Sequence, residues 1–215
     1  MGNGDMTGFA SPPCFAHELA EQQGQSAVDP QTAVDVARWR KGERARLITA
    51  RLAIPIDERV RLSRTIGNQL DELLSERDRS VVSVYWPFRG EPDLRPWMKT
   101  AHRHGWRVAL PVVEAKATPL SFREWAPECR MERGVWIIPI PADGEELVPE
   151  IAIAPLVGVD PARYRLGYGG GFFDRTLASL SPRPFAIGVG YEVAQIGSIF
   201  PQWHDVPMEV VLIGR

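Results

Sequence analysis

Ile151-Ala-Ile-Ala-Pro-Leu-Val-Gly-Val-Asp160, followed by Arg165-Leu166-Gly167-Tyr168-Gly169-Gly170-Gly171-Phe172-Phe173-Asp174-Arg175, is the stretch that decides the fold. Its first half is a continuous apolar run and reads as a buried strand leaving a sheet. Phe172 through Leu180 can wind as a helix. A glycine cluster between strand and helix suits phosphate, because residues without side chains let backbone N–H groups approach oxygens closely. The helix N-terminus adds unpaired donors and partial positive charge. Arg165 and Arg175 bracket the turn with permanent charge, and Asp174 stands where a carboxylate could hold a magnesium ion bridging phosphates. The spacing matches neither the dinucleotide fingerprint nor the G-x-x-x-x-G-K-[ST] loop, since no Lys-Ser or Lys-Thr follows. A plain tight turn is the alternative; two arginines, an aspartate and two aromatics in one turn favour a site.

Upstream, a first helix runs from about Asp35 to Leu52, with Val36, Trp39, Leu47 and Ile48 on an approximate apolar side. Arg40 and Arg44 share one of its faces, whereas Lys41 is turned about 100° away. The alternative for these cations is a solvated basic face. A second helix begins at Pro55, with Leu62, Ile66, Leu70, Leu73 and Leu74 at helical spacing for packing. Val81–Trp86 reads as a parallel strand, and the loop beyond it carries Glu91. Ligands in open α/β sheets bind beyond the carboxyl ends of strands, so Trp86 and Glu91 divide between a site and an ordinary surface loop. Leu94, Trp97, Met98 and Ala101 mark a core-facing helix that stops at Gly105. Trp106–Val113 is a strand, and residues 114–150, punctuated by prolines, form an irregular hairpin region. Downstream, Phe185–Tyr191 and Val210–Ile213 are strands, with His204-Asp205 in the loop between them.

The strand–helix alternation predicts an α/β fold: a mostly parallel sheet with helices on both faces, Rossmann-like and three-layered, with a small β-hairpin elaboration. The expected organisation is an irregular N-terminal extension, 1–34, and one domain, 35–215. Cys14 and His17 in the extension have a spacing a metal could use, but no second pair completes a site; an apolar docking tail is the stronger reading. The chain has 215 residues, a net charge of −2 and two cysteines. These values exclude a general nucleic-acid binder and a disulfide framework, and point to a reducing cytoplasm. No apolar run is long enough to span a membrane.

The segment Arg165–Asp174 resembles the signature of the 5-formyltetrahydrofolate cyclo-ligase (methenyltetrahydrofolate synthetase) family, Arg-Leu-Gly-x-Gly-x-Gly-Tyr-Tyr-Asp. Phe172 and Phe173 replace the two tyrosines, which removes two hydroxyls and keeps the ring surfaces. The resemblance extends over residues 35–210. It implies an ATP- and Mg2+-dependent ligase that converts 5-formyltetrahydrofolate into 5,10-methenyltetrahydrofolate, releasing ADP and phosphate. Its implied partners are small molecules; with the charge and hydropathy above, neither nucleic acid nor membrane is expected, and the sequence leaves monomer and homodimer both open. It assigns Arg40 and Arg44, with Lys41 as the alternative, to the ATP phosphates. The loop Leu166, Gly167, Tyr168, Gly169, Gly170, Gly171, Phe172 and Phe173 goes to ATP, Tyr168 through Phe172 also facing the folate. Trp86 and Glu91 take the pterin, Asp174 and Asp205 the magnesium, and Arg165 with Asp174 the chemistry. Another ATP- or sugar-phosphate-using enzyme, or a noncatalytic nucleotide- or folate-binding module, remains open.

Overall fold

The computed structural model describes residues 29–215; Cys14 and His17 lie outside them. The chain runs α1 (Pro30–Ala53), α2 (Ile56–Leu73), β1 (Val81–Ser83), α3 (Arg95–Arg103), β2 (Arg107–Val112) and β3 (Ser121–Trp125). It continues through β4 (Met131–Arg133), β5 (Pro139–Pro141), β6 (Ile151–Pro155), β7 (Gly158–Val159) and β8 (Arg165–Leu166). It ends with α4 (Phe172–Ser179), β9 (Phe185–Tyr191) and β10 (Val210–Gly214).

Six strands form one sheet in the order β10-β9-β6-β1-β2-β3. Neighbours pair in parallel except β3, which returns antiparallel to β2. The two faces differ in side-chain size. One presents Val82, Val84, Val108, Leu110, Ile153 and Ile187, covered by Leu62, Ile66 and Leu70 of α2 and Trp97 and Met98 of α3. The other presents Ala152, Ala154 and Ala186 to Leu177 of α4. Period-2 alternation of large and small residues lets α4 sit close on that side. From β1 the chain turns toward β2, and from β6 toward β9, so the strand order reverses between β1 and β6. Such switch points open a crevice at the carboxyl ends of the strands.

Two local differences from the sequence reading have physical causes. α1 begins at Pro30, ahead of Asp35, because Asp29 caps it by accepting from the Thr32 amide at 3.1 Å, with Pro30 in the first turn. The run Ile151–Asp160 is two elements: β6 ends at Pro155, and β7 bends away to pair with β8. Asp160 braces that hairpin, accepting from Tyr164 N at 3.0 Å and Ile199 N at 3.2 Å. Arg165 therefore lies on a short strand that delivers the glycine loop. Within residues 114–150, β4 and β5 form the small hairpin.

Candidate active site

A cleft of about 470 Å3 opens at the switch point. Its floor is the ends of β1 and β6; its walls are α1, the glycine loop and the β4–β5 hairpin. Arg40, Arg44, Trp86, Glu91, Leu166 through Asp174, Arg165 and Asp205 all line it, but Lys41 does not. Lys41 is exposed.

At one end the cations converge. Arg44 donates through Nε to the Gly167 carbonyl at 2.7 Å, which lays its guanidinium against Gly169. Burial, then the nearby Arg40 and Arg165, lower its pKa, with Asp205 opposing them. Arginine stays charged regardless, so this corner gains from an anion. Arg165 is buried over the Phe173 ring and donates to Asp174 Oδ2 at 3.2 Å. Its Nε is buried with no hydrogen-bond partner among the described residues. A Cβ at Gly167 would stand 2.6 Å from Arg165 Nη1, so a side chain there would push that guanidinium tip aside. Gly171, at φ 64°, caps α4 and aims that helix N-terminus at the loop. Arg175 secures the turn from behind, donating to the Gly170 carbonyl at 2.6 Å.

Arg40 and Asp205 form a second buried ion pair, with contacts of 2.5 and 3.2 Å. Arg40 Nε and Nη2 also donate to the Ile199 and Phe200 carbonyls, so every nitrogen of its guanidinium is engaged. Asp205 additionally accepts from Gln202 N at 2.6 Å. Arg44, rather than Arg40, therefore carries the uncommitted donors from α1. Asp174 Oδ1 accepts from Val206 N at 3.3 Å, which ties α4 to the loop bearing Asp205.

At the other end, Glu91 is buried. Its Oε2 accepts from Phe88 N at 2.9 Å and its Oε1 from the Tyr168 hydroxyl at 3.0 Å. Burial is the main cause that raises its pKa from 4.5 to about 7; Arg51, the Phe88 amide, Tyr168 and Arg165 oppose it. Trp86 is half-buried with the Arg95 guanidinium 5.3 Å from its ring centroid. The hairpin tip supplies the remaining wall: Trp136 meets Phe172 edge-on at 6.0 Å between centroids. Trp136 and Ile137 both have positive φ, 56° and 62°, the backbone of a two-residue hairpin turn normally filled by Asn or Gly. Two residues went unread in the sequence, Trp136 and Arg51. Nothing in a proline-rich stretch singles out Trp136. Arg51 was readable, lying two turns beyond Arg44 and three beyond Arg40 on the same face of α1.

The 5-formyltetrahydrofolate cyclo-ligase family model matches residues 36–214. The chain is 28% identical over 155 residues to the 5-formyltetrahydrofolate cyclo-ligase of Haemophilus influenzae, covering 66% of this chain and 80% of that protein. It is 30% identical over 139 residues to the Escherichia coli K12 protein of the same name, covering 61% and 76% respectively. The solved structure of Aquifex aeolicus 5,10-methenyltetrahydrofolate synthetase superposes with a TM-score of 0.71 at 27% identity, over 82% of this chain and 90% of that one. The fold, the cleft at its switch point and the sequence relationship agree: this chain belongs to the 5-formyltetrahydrofolate cyclo-ligase family.

Proposed function

We propose that the chain converts 5-formyltetrahydrofolate and ATP into 5,10-methenyltetrahydrofolate, ADP and phosphate. The observation that carries this is one cleft with two chemically opposite ends: a cationic glycine loop at a helix N-terminus, and a buried carboxylate that accepts hydrogen bonds. The first suits a triphosphate; the second suits the N–H edge of a pterin. Arg44, Arg165 and the amides of Gly167 through Gly171 receive the phosphates. Glu91 and Trp86 receive the pterin, and Tyr168 and Phe172 lie between the two.

The formyl group of the substrate is an amide, so its carbon is a poor electrophile. Transfer of the γ-phosphoryl group to the formyl oxygen breaks the β–γ bridge of ATP and releases ADP. The neighbouring folate nitrogen N10 then attacks the formyl carbon, loses its proton and closes the ring. The C–O bond breaks and phosphate departs with its electron pair. The protein's part is to align the two substrates, exclude water and offset charge. Arg165 does the last from beside the loop.

Among the described residues no cluster of three or more His, Cys, Asp or Glu could hold a metal by itself. A magnesium ion that shares its shell with phosphate oxygens needs only one or two protein carboxylates, and Asp174 and Asp205 both line the cleft. Carboxylate oxygens suit a hard cation, and these two, Asp174 now bonded to Arg165 and Asp205 to Arg40, would hold the ion. Bound there, it would offset phosphate charge. No helix among the described residues is long and apolar enough to cross a membrane; with two cysteines in the sequence, we place the work in the cytoplasm.

The test is direct. Purified protein is mixed with formylfolate and MgATP, and the ultraviolet absorbance of the methenyl product is followed, with ATP omitted as control. ATP-dependent appearance of product is expected. Product without ATP, or none with it, overturns the reading.

A further inference from the structure

Arg51 is a buried arginine that the reaction above does not use. Its Nε donates to the Arg89 carbonyl at 3.0 Å, its Nη1 to the Leu156 carbonyl at 3.1 Å and its Nη2 to the Tyr168 hydroxyl at 2.6 Å. Those partners belong to three different segments: the loop after β1, the end of β6 and the glycine loop. One side chain thus joins both sides of the switch point to the loop that covers it.

The direction of the bonds matters. Arginine can only donate. Bound to Tyr168 Oη, it obliges that hydroxyl to send its own proton elsewhere, and Glu91 Oε1 lies 3.0 Å away. Glu91 then accepts on both oxygens, from Tyr168 and from Phe88 N. We propose that Arg51 is a positioning residue for the folate end of the cleft, acting through Tyr168 to hold Glu91 as a hydrogen-bond acceptor aimed at the pterin edge. Without Arg51, the Tyr168 hydroxyl is free to turn, for instance to the Phe88 carbonyl 3.5 Å away. Glu91 loses a fixed donor and a nearby positive charge. The groups that face Glu91 are Arg51 from α1, Tyr168 and Arg165 from the loop and β8, and Tyr85 at the end of β1. Of these, Arg51 does most to favour the charged carboxylate.

This rests on the cyclo-ligase reading, so the experiment has one arm that needs no turnover. Glu91 is followed by 13C NMR of its carboxyl carbon across pH, its signal assigned by loss in Glu91→Gln, in the unaltered protein, Arg51→Gln and Arg51→Lys. Arg51→Gln should raise the Glu91 midpoint by about one pH unit, and Arg51→Lys by less, since it restores the charge without the planar fork. In turnover, Arg51→Gln should raise KM for formylfolate about tenfold at neutral pH, with kcat and KM for ATP within about twofold. Where Arg51→Gln does not fold, Tyr168→Phe cuts the same relay and should move the midpoint the same way. An unmoved midpoint in the folded variant overturns the proposal. So does a fall in kcat with a rise in both KM values while the Glu91 midpoint stays put, which would make Arg51 a brace only. Failure of the unaltered protein to form product sinks the cyclo-ligase reading, while the NMR arm still decides whether Arg51 governs Glu91.

Discussion

Glu91 shows how one buried group couples stability to binding. Its pKa rises from 4.5 to about 7 on folding, so between those values the native state holds a proton that the unfolded chain has released. Stability is therefore lost as pH rises through that window, by roughly 3 kcal/mol at about 1.4 kcal/mol per unit. Glu91→Gln removes the titration. The melting temperature of the unaltered protein should fall between pH 5 and 8 relative to that of Glu91→Gln, as followed by circular dichroism. Substrate affinity should run the opposite way, rising as the carboxylate forms. Arg44→Ala, which strands the Gly167 carbonyl but no buried carboxylate, should raise KM for ATP by roughly tenfold to a hundredfold and cost only about 1 kcal/mol of stability. Asp174→Asn should abolish turnover, as read by product absorbance. At this scale the gathering of Glu91, Arg44, Arg165 and Asp174 beside one cleft was legible: a resemblance pointed to all four, a strand-end loop to Glu91, a shared helix face to Arg44, and the glycine turn to Arg165 and Asp174. Arg51 went unread although it shares a face of α1 with Arg40 and Arg44, because an arginine on a helix looks like one more surface charge until its partners are known.

Glycines mark where elements meet, and they differ in what they tolerate. At Gly171 a Cβ would lie 2.6 Å from Arg175 Nη1 on a backbone with φ 64°. Gly171→Ala should cost about 1–2 kcal/mol from the backbone alone, and should impair ATP binding as the helix N-terminus moves. Gly42 is the opposite case: it lies within α1, and a Cβ added there would meet nothing within 4 Å. Gly42→Ala should stabilise the protein by about 1 kcal/mol in urea unfolding, without changing KM. β9 was readable residue for residue, since Phe185–Tyr191 is an unbroken run of apolar residues and glycines after a proline-rich turn and is buried from Ala186 onward. The start of α1 was missed because its buried positions, Val36, Arg40, Leu47 and Arg51, mix apolar and charged side chains and blur the period. The split of β6 from β7 escaped because continuous hydrophobicity conceals a bend. The hairpin tip was illegible: Trp136 and Ile137 occupy turn positions that their residue types disfavour.

Across the molecule, the sheet separates two duties. Ile66, fully buried between α2 and the large-residue face, does not line the cleft. Ile66→Ala should cost about 2–5 kcal/mol yet leave both KM values unchanged for the folded fraction, as read by paired denaturation and kinetics. The α/β class, the parallel sheet and its site-bearing edge were legible because alternating strand and helix periods permit few topologies. The pairing of Arg40 with Asp205 was not, since it joins residues that only the finished fold brings together. α1 carries one practical consequence. Family similarity begins at residue 36, yet Ala33 borders the cleft and Asp29 caps the helix. A shortened version of the chain cut at the point where its relatives begin to look alike would fray the helix that presents Arg40 and Arg44, and would open one rim of the substrate chamber to water.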